Sequence, residues 1–193
     1  MSLVLETEQL RTLKQSTGFF MSGGNTSLYQ KIYGTKSVSR LIRELHAAGV
    51  PYGGVSAGAM MACGEVVVEG STIKTRTNEF KLVADSSRAM FKPGHPGVIV
   101  RKGLGLVQNC VLEPHFAEWG HFPRIVEAMN LTGSRFGVGL DNSICLQLRD
   151  GKRAAVRGRG RLYFFRRETS GARGLGFRVR LCEPGARFEF STQ

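Results

Sequence analysis

The residues best suited to covalent chemistry stand at Gly54-Val-Ser-Ala-Gly58. A Gly-x-Ser-x-Gly spacing suits a sharp strand-to-helix turn that lifts a serine oxygen above the edge of a sheet. Its context is the one the mechanism needs, because the apolar run Val50 to Val55 precedes it and small residues through Cys63 follow. The glycines let the backbone bend tightly, and a helix N-terminus places amides beside any oxyanion that forms. Ser56 is therefore the candidate nucleophile.

A serine nucleophile needs a base, and the chain offers His46, His95, His115 and His121. His115 directly follows the apolar stretch Cys110-Val-Leu112 and Glu113-Pro114, so a loop at the carboxyl end of a sheet is expected to hold it near Ser56. His46 falls on an amphipathic helix and is expected partly exposed, His95 lies in a Gly/Pro loop from Lys92 to Gly97, and His121 is expected to stack or to line the mouth of the site. Glu113, His115, Glu118 and His121 lack the HExxH spacing and the spacings of small structural metal sites. No metal and no cofactor is expected.

These residues must be positioned by a framework. Leu3 to Gln15 suggests a short helix, Gly18 to Met21 a buried strand ending in the turn Ser22-Gly-Gly-Asn-Thr26, and Ser37 to Ala48 an amphipathic helix. In that helix Val38, Leu41, Ile42 and Leu45 share a face, Ser37 is placed to cap the start and Gly49 to end it. Val50 to Val55 reads as a further buried strand. Strand, helix, strand, nucleophile turn and helix is the rhythm of an α/β fold with a mostly parallel sheet covered by helices on both faces. Short strands are expected at Val66 to Glu69 and Thr72 to Arg76, and Gly103-Leu-Gly-Leu106 and Cys110 to Leu112 are read as re-entering the sheet. A helix is expected at Pro123 to Met129, and strands at Phe136 to Leu140 and Ile144 to Leu148. Ala154 to Val156, Arg161 to Phe165 and Phe177 to Leu181 read as antiparallel finishing strands, with turns at Asp150-Gly151 and Ser170-Gly171.

Three further segments share the order of the peptidase E and cyanophycinase family of serine peptidases, family S51, which the chain resembles. They are Ser22-Gly-Gly-Asn-Thr26, Gly103-Leu-Gly-Leu106 with Glu113-Pro-His-Phe116, and Gly137-Val-Gly-Leu-Asp-Asn142. The resemblance spans about Gly18 to Gly160. It implies a fold like that of the class I glutamine amidotransferases and a Ser-His-Glu triad that cleaves peptides next to aspartyl residues. Carried over by position, it makes Ser56 the nucleophile, His115 the base, and the amides of Gly24 and Ala57 the oxyanion hole. Small, aspartyl-containing peptides are the implied substrates.

The acid position departs from the family, since Asn142 stands where the resemblance places a glutamate. An asparagine orients an imidazole but supplies no charge to it. Asp141 is the alternative third member; alternation along a strand lets one of the two reach His115, not both. Glu79 and Glu113 are remoter substitutes. The resemblance also implies about two strand and helix units ahead of Leu5 that are not in this sequence, which would leave an apolar edge for a second copy to cover and makes a homodimer an expectation.

Composition bounds the rest. At 193 residues and 41% apolar the chain is the size of one ordinary domain, residues 1–193. It has no run of 18 apolar residues and no leader pattern, so a cytoplasmic protein without a membrane segment is expected. Cys63, Cys110, Cys145 and Cys182 show no CxxC pairing and are read as reduced core thiols. The formal charge of +12 is concentrated after Arg149, where the finishing strands are rich in arginine. Tyr163, Phe164, Phe165 and Phe177 interleave with these arginines, but no nucleic-acid-binding signature accompanies them. The rival reading to a hydrolase is a catalytically impaired binding protein that holds an acidic ligand or nucleic acid on this surface.

Overall fold

The computed structural model describes residues 5–69, 73–74, 80–81, 98–168 and 176–190. The chain opens with helix α1 (Thr7–Lys14) and strand β1 (Phe19–Met21). Helix α2 (Thr26–Tyr33) follows, and was missed in the sequence although Asn25 is a good cap: its side chain accepts the Leu28 N–H at 2.9 Å. Helix α3 (Lys36–Ala47) buries Val38, Ser39 and Ile42. It starts at Thr35 and not at Ser37, and it ends in a Schellman motif in which Gly49 N–H bonds His46 O and Val50 N–H bonds Leu45 O. Gly49, at φ +96°, takes the left-handed position that this motif requires.

Strand β2 (Tyr52–Gly54) pairs in parallel with β1, and helix α4 (Ala57–Met61) departs from its end. The segments Gly18 to Met21 and Val50 to Val55 were expected to be buried, yet Phe20 is 73% exposed and Val55, just beyond β2, 49%. Phe20 lies opposite Gly53, and its ring covers the space a side chain there would fill.

Strand β3 (Glu65–Glu69) pairs with β6 (Ile99–Lys102), a strand not among those expected from the sequence, and the short β4 (Ile73–Lys74) pairs with β5 (Phe80–Lys81). The Gly/Pro loop with His95, the remoter candidate Glu79 and the Ser170-Gly171 turn lie outside the described residues. Gly103 to Leu106 is not a strand. It folds over the end of α4, where the N–H groups of Leu104, Gly105 and Leu106 bond the carbonyls of Met61, Cys63 and Ala62 that the helix leaves open. Gly103 is needed for this approach, since a Cβ there would stand 2.3 Å from Cys63 O.

Strand β7 (Cys110–Pro114) pairs in parallel with β8 (Phe136–Leu140) across helix α5 (Phe122–Thr132). The helix buries Ile125, Ala128 and Met129 at helical spacing. Strands β9 (Ile144–Arg149), β10 (Arg153–Gly158), β11 (Leu162–Glu168), β12 (Gly176–Cys182) and β13 (Arg187–Glu189) complete the order. They form a four-stranded sheet β12-β11-β8-β7 and a three-stranded sheet β13-β10-β9. The expected turn at Asp150-Gly151 has both residues at positive φ, and with Lys152 it forms a three-residue loop between the paired Arg149 and Arg153.

The α/β character and the antiparallel finish are as expected, but the sheet is less parallel than the sequence suggested. Among the described strands only β1–β2 and β7–β8 pair in parallel, against six antiparallel pairings. The reason is β11, which adds to β8 in the antiparallel sense and recruits β12. One core, including Ile42, Met61, Leu104, Ile125 and Phe165, lies between the helices and the sheet; a second, including Val138, Val156, Leu162 and Phe190, lies between β8 and the finishing strands. Cys63, Cys110 and Cys182 are buried as expected, but Cys145 is exposed because alternation along β9 turns it outward. No helix among the described residues is long and apolar enough to cross a membrane.

Candidate active site

Ser56 occupies the turn between β2 and α4 with φ +52° and ψ −121°, a conformation costly for any residue with a Cβ. The surrounding bonds hold it there. Val55 N–H donates to Met21 O at 3.0 Å, Gly58 N–H to Val55 O at 2.9 Å, and the Tyr52 hydroxyl to Gly58 O at 2.6 Å. Both glycines of the motif are required by contact. A Cβ on Gly54 would lie 2.6 Å from the Gly58 carbonyl carbon, and one on Gly58 would lie 2.2 Å from Met21 O. Burial raises the Tyr52 phenol well above its ordinary range, so it remains a neutral donor.

The first glycine turn packs against the same serine. A Cβ on Gly23 would stand 3.2 Å from the Ser56 Cβ, and the Tyr29 hydroxyl of α2 donates to Gly23 O at 3.1 Å, fixing the loop. Gly24 follows directly against that hydroxyl. Ala57 is the first residue of α4, where the helix offers its N–H no acceptor of its own.

His115 comes from the end of β7 at φ +53°. Its Nε2 lies 3.0 Å from Ser56 Oγ and its Nδ1 lies 2.6 Å from Asn142 Oδ1. The amide oxygen accepts, so Nδ1 carries the proton and Nε2 is left to accept from the serine hydroxyl. Trp119 stacks on the imidazole with ring centroids 4.5 Å apart. The next residue, Phe116, is buried over Gly139 of β8, where a Cβ would lie 2.4 Å from its ring. Gly137 makes the same allowance for Met129 Sδ, at 2.6 Å. The Gly-Val-Gly run of β8 thus seats the histidine loop.

Asp141 turns elsewhere. Its Oδ1 accepts the Ala117 N–H at 3.1 Å, and burial raises its pKa against the pull of that bond. Both Asp141 and Asn142 lie beyond the end of β8, so the loop, and not strand alternation, separates their directions. Glu113 does not reach the imidazole of His115. It is fully buried beside Arg124 at 3.2 Å and His121 at 3.4 Å. Burial pushes its pKa up to about 7 although Arg124 pulls it down. His121 does not line the mouth. It is buried, donates from Nδ1 to Pro114 O at 3.0 Å, and is pressed to a pKa of about 4 mainly by burial. His46 is exposed on α3, away from the nucleophile turn. Sequence reasoning missed Tyr29, Trp119 and Arg124, and considered Glu118 only as a metal ligand. The carboxylate Oε1 of Glu118 accepts the Asn142 N–H at 2.8 Å.

The chain is similar to several known proteins. The chain is 26% identical over 156 residues to the cyanophycinase of Synechococcus elongatus, covering 80% of this chain and 43% of that one. It is 23% identical over 149 residues to the cyanophycinase of Geminocystis herdmanii (strain PCC 6308), covering 77% and 48%. The chain thus spans less than half the length of these curated relatives. A looser likeness, TM-score 0.44 at 18% identity over 95% of this chain and 68% of the other, is to a solved structure named as a candidate peptidase E from Listeria monocytogenes EGD-e. A family model, described as peptidase family S51, matches residues 2–156, and the chain belongs to that family.

Proposed function

We propose that this chain is a serine-type peptidase or related acyl hydrolase that acts on small peptides, with aspartyl-containing peptides as the substrate class. The observation that carries the reading is the continuous hydrogen-bond chain from Ser56 Oγ through His115 to Asn142 Oδ1, at 3.0 and 2.6 Å. Ser56 Oγ attacks the scissile carbonyl carbon while its proton passes to His115 Nε2. The amides of Gly24 and Ala57 receive the oxyanion. Collapse of the tetrahedral intermediate breaks the C–N bond, and Nε2 returns the proton to the leaving amine. Water then enters by the same route and frees the acid. Asn142 holds the ring in the tautomer this sequence needs, although the amide itself brings no charge to the imidazolium.

A second reading is supported by the same asparagine: a member that keeps the fold and binds without turning over. A fluorophosphonate separates the two. Covalent modification of Ser56 that disappears in Ser56→Ala and slows at least about a hundredfold in His115→Ala is expected for the hydrolase. A folded protein in which Ser56 reacts no faster than other surface serines is the outcome that overturns it.

A further inference from the structure

We infer that Glu118 is a positioning residue for Asn142, and that its carboxylate supplies the negative charge absent from position 142. The inference rests on the triad reading above. Where β7 and β8 end, their parallel pairing is continued by three consecutive rungs. Phe116 N–H donates to Leu140 O at 3.0 Å, Ala117 N–H to Asp141 Oδ1 at 3.1 Å, and Asn142 N–H to Glu118 Oε1 at 2.8 Å. The last two are reciprocal: each loop lends a backbone N–H to a carboxylate of the other. Together they fix residue 142 relative to residue 115, and the 2.6 Å contact between Asn142 and His115 depends on that register.

Glu118 differs from Asp141 in what remains of its charge. Its second oxygen, Oε2, is buried and accepts no hydrogen bond from the protein among the described residues. No other described group takes up this oxygen, so the carboxylate is left to act on a cation that forms nearby. Its field is felt within the loop, since it helps to raise Asp141, after burial. The other titratable or charged groups around the pair are Arg161, which faces Asp141, and the Glu113, His121 and Arg124 cluster behind the imidazole. In the serine-protease template one carboxylate both orients the histidine and stabilises its protonated form. Here the two tasks are divided: Asn142 orients, and Glu118 carries the charge one residue further out.

The test uses Glu118→Gln, which keeps an oxygen acceptor and removes the charge, and Glu118→Ala, which removes both. With the fluorophosphonate probe, Glu118→Gln is expected to slow Ser56 acylation about tenfold, roughly 1.4 kcal/mol, and to displace the acid limb of its pH profile. Asn142→Asp in the Glu118→Gln background is expected to recover most of that loss. A second readout needs no chemistry at Ser56 and is recorded in Ser56→Ala as well. The low-field His115 Nδ1–H proton resonance of 15N-labelled protein should move upfield in Glu118→Gln and vanish in Glu118→Ala. An unlabelled but folded chain with these resonance changes would overturn the hydrolase reading and support the role of Glu118. An unchanged resonance in Glu118→Gln overturns the charge, and one that survives in Glu118→Ala overturns the positioning.

Discussion

Asn142 and Asp141 are neighbours with opposite assignments in the loop, and each makes its own prediction. Asn142→Asp puts a carboxylate 2.6 Å from His115 Nδ1 and should raise Ser56 acylation about tenfold, whereas Asn142→Ala should lower it at least as much. Asp141→Asn keeps an oxygen for the Ala117 N–H and should stay within about threefold of the parent rate, measured by the same labelling. The buried Glu113 leads to a prediction about stability instead. Its folded pKa of about 7 stands above the ordinary 4.5, so its contribution is complete below that value and is lost as pH rises through about 7. His121, pressed down to about 4 from 6.5, acts in the opposite sense, contributing above 6.5 and losing that contribution as pH falls towards 4. Glu113→Gln removes only the first effect. The stability of the variant relative to the parent should therefore increase between pH 5 and pH 8, by about 1 to 3 kcal/mol, as read by urea denaturation.

At the scale of elements, the glycines decide how close strands, helices and loops come. Gly139→Ala would force a methyl group to 2.4 Å from the Phe116 ring, next to His115. It should cost about 1 to 3 kcal/mol of stability by overpacking and slow Ser56 labelling by about tenfold or more. Gly151→Ala is the comparison: its φ of +64° makes alanine unfavourable by about 1 to 2 kcal/mol, but nothing stands within 4 Å of the new methyl. Its labelling rate should be unchanged. Thermal unfolding and labelling of the two variants separate a backbone cost from a loss of site geometry.

At the scale of the whole molecule, the described residues include a strongly basic face. Alternation along β9, β10 and β13 turns the apolar Leu146, Val156 and Phe188 towards the second core and sets Arg149, Arg153, Arg157 and Arg187 around a cavity of about 490 Å³, with Glu189 at its edge. Arg153 is paired with Asp150, while Arg149, Arg157 and Arg187 have no ion pair among the described residues. Replacing Arg149, Arg157 and Arg187 by serine should lower the salt concentration at which the protein leaves a heparin column and flatten its salt dependence, with Ser56 labelling unchanged. Arg161 is left out of this set because its charge acts on the Asp141 carboxyl beside the site, so part of the basic tail bears on it.

Local chemistry was legible in the sequence wherever one short segment contains its own reason. Gly54 to Gly58 carries both the bend and the serine at its apex, Gly49 ends α3 after a run with helical spacing, and Asp150-Gly151 turns the chain without help from elsewhere. The position of His115 at a strand end was legible on the same grounds. What only the tertiary structure decided depends on groups far apart in the chain. Which of Asp141 and Asn142 faces His115 is settled by two hydrogen bonds that each span 24 residues, from Ala117 N–H to Asp141 Oδ1 and from Asn142 N–H to Glu118 Oε1. The capping of α4 by Gly103 to Leu106, the exposure of Phe20 and the antiparallel addition of β11 to β8 are of the same kind. Strand order and side-chain burial follow from which surfaces meet, and periodicity along one segment records only that a face is apolar, not what will cover it.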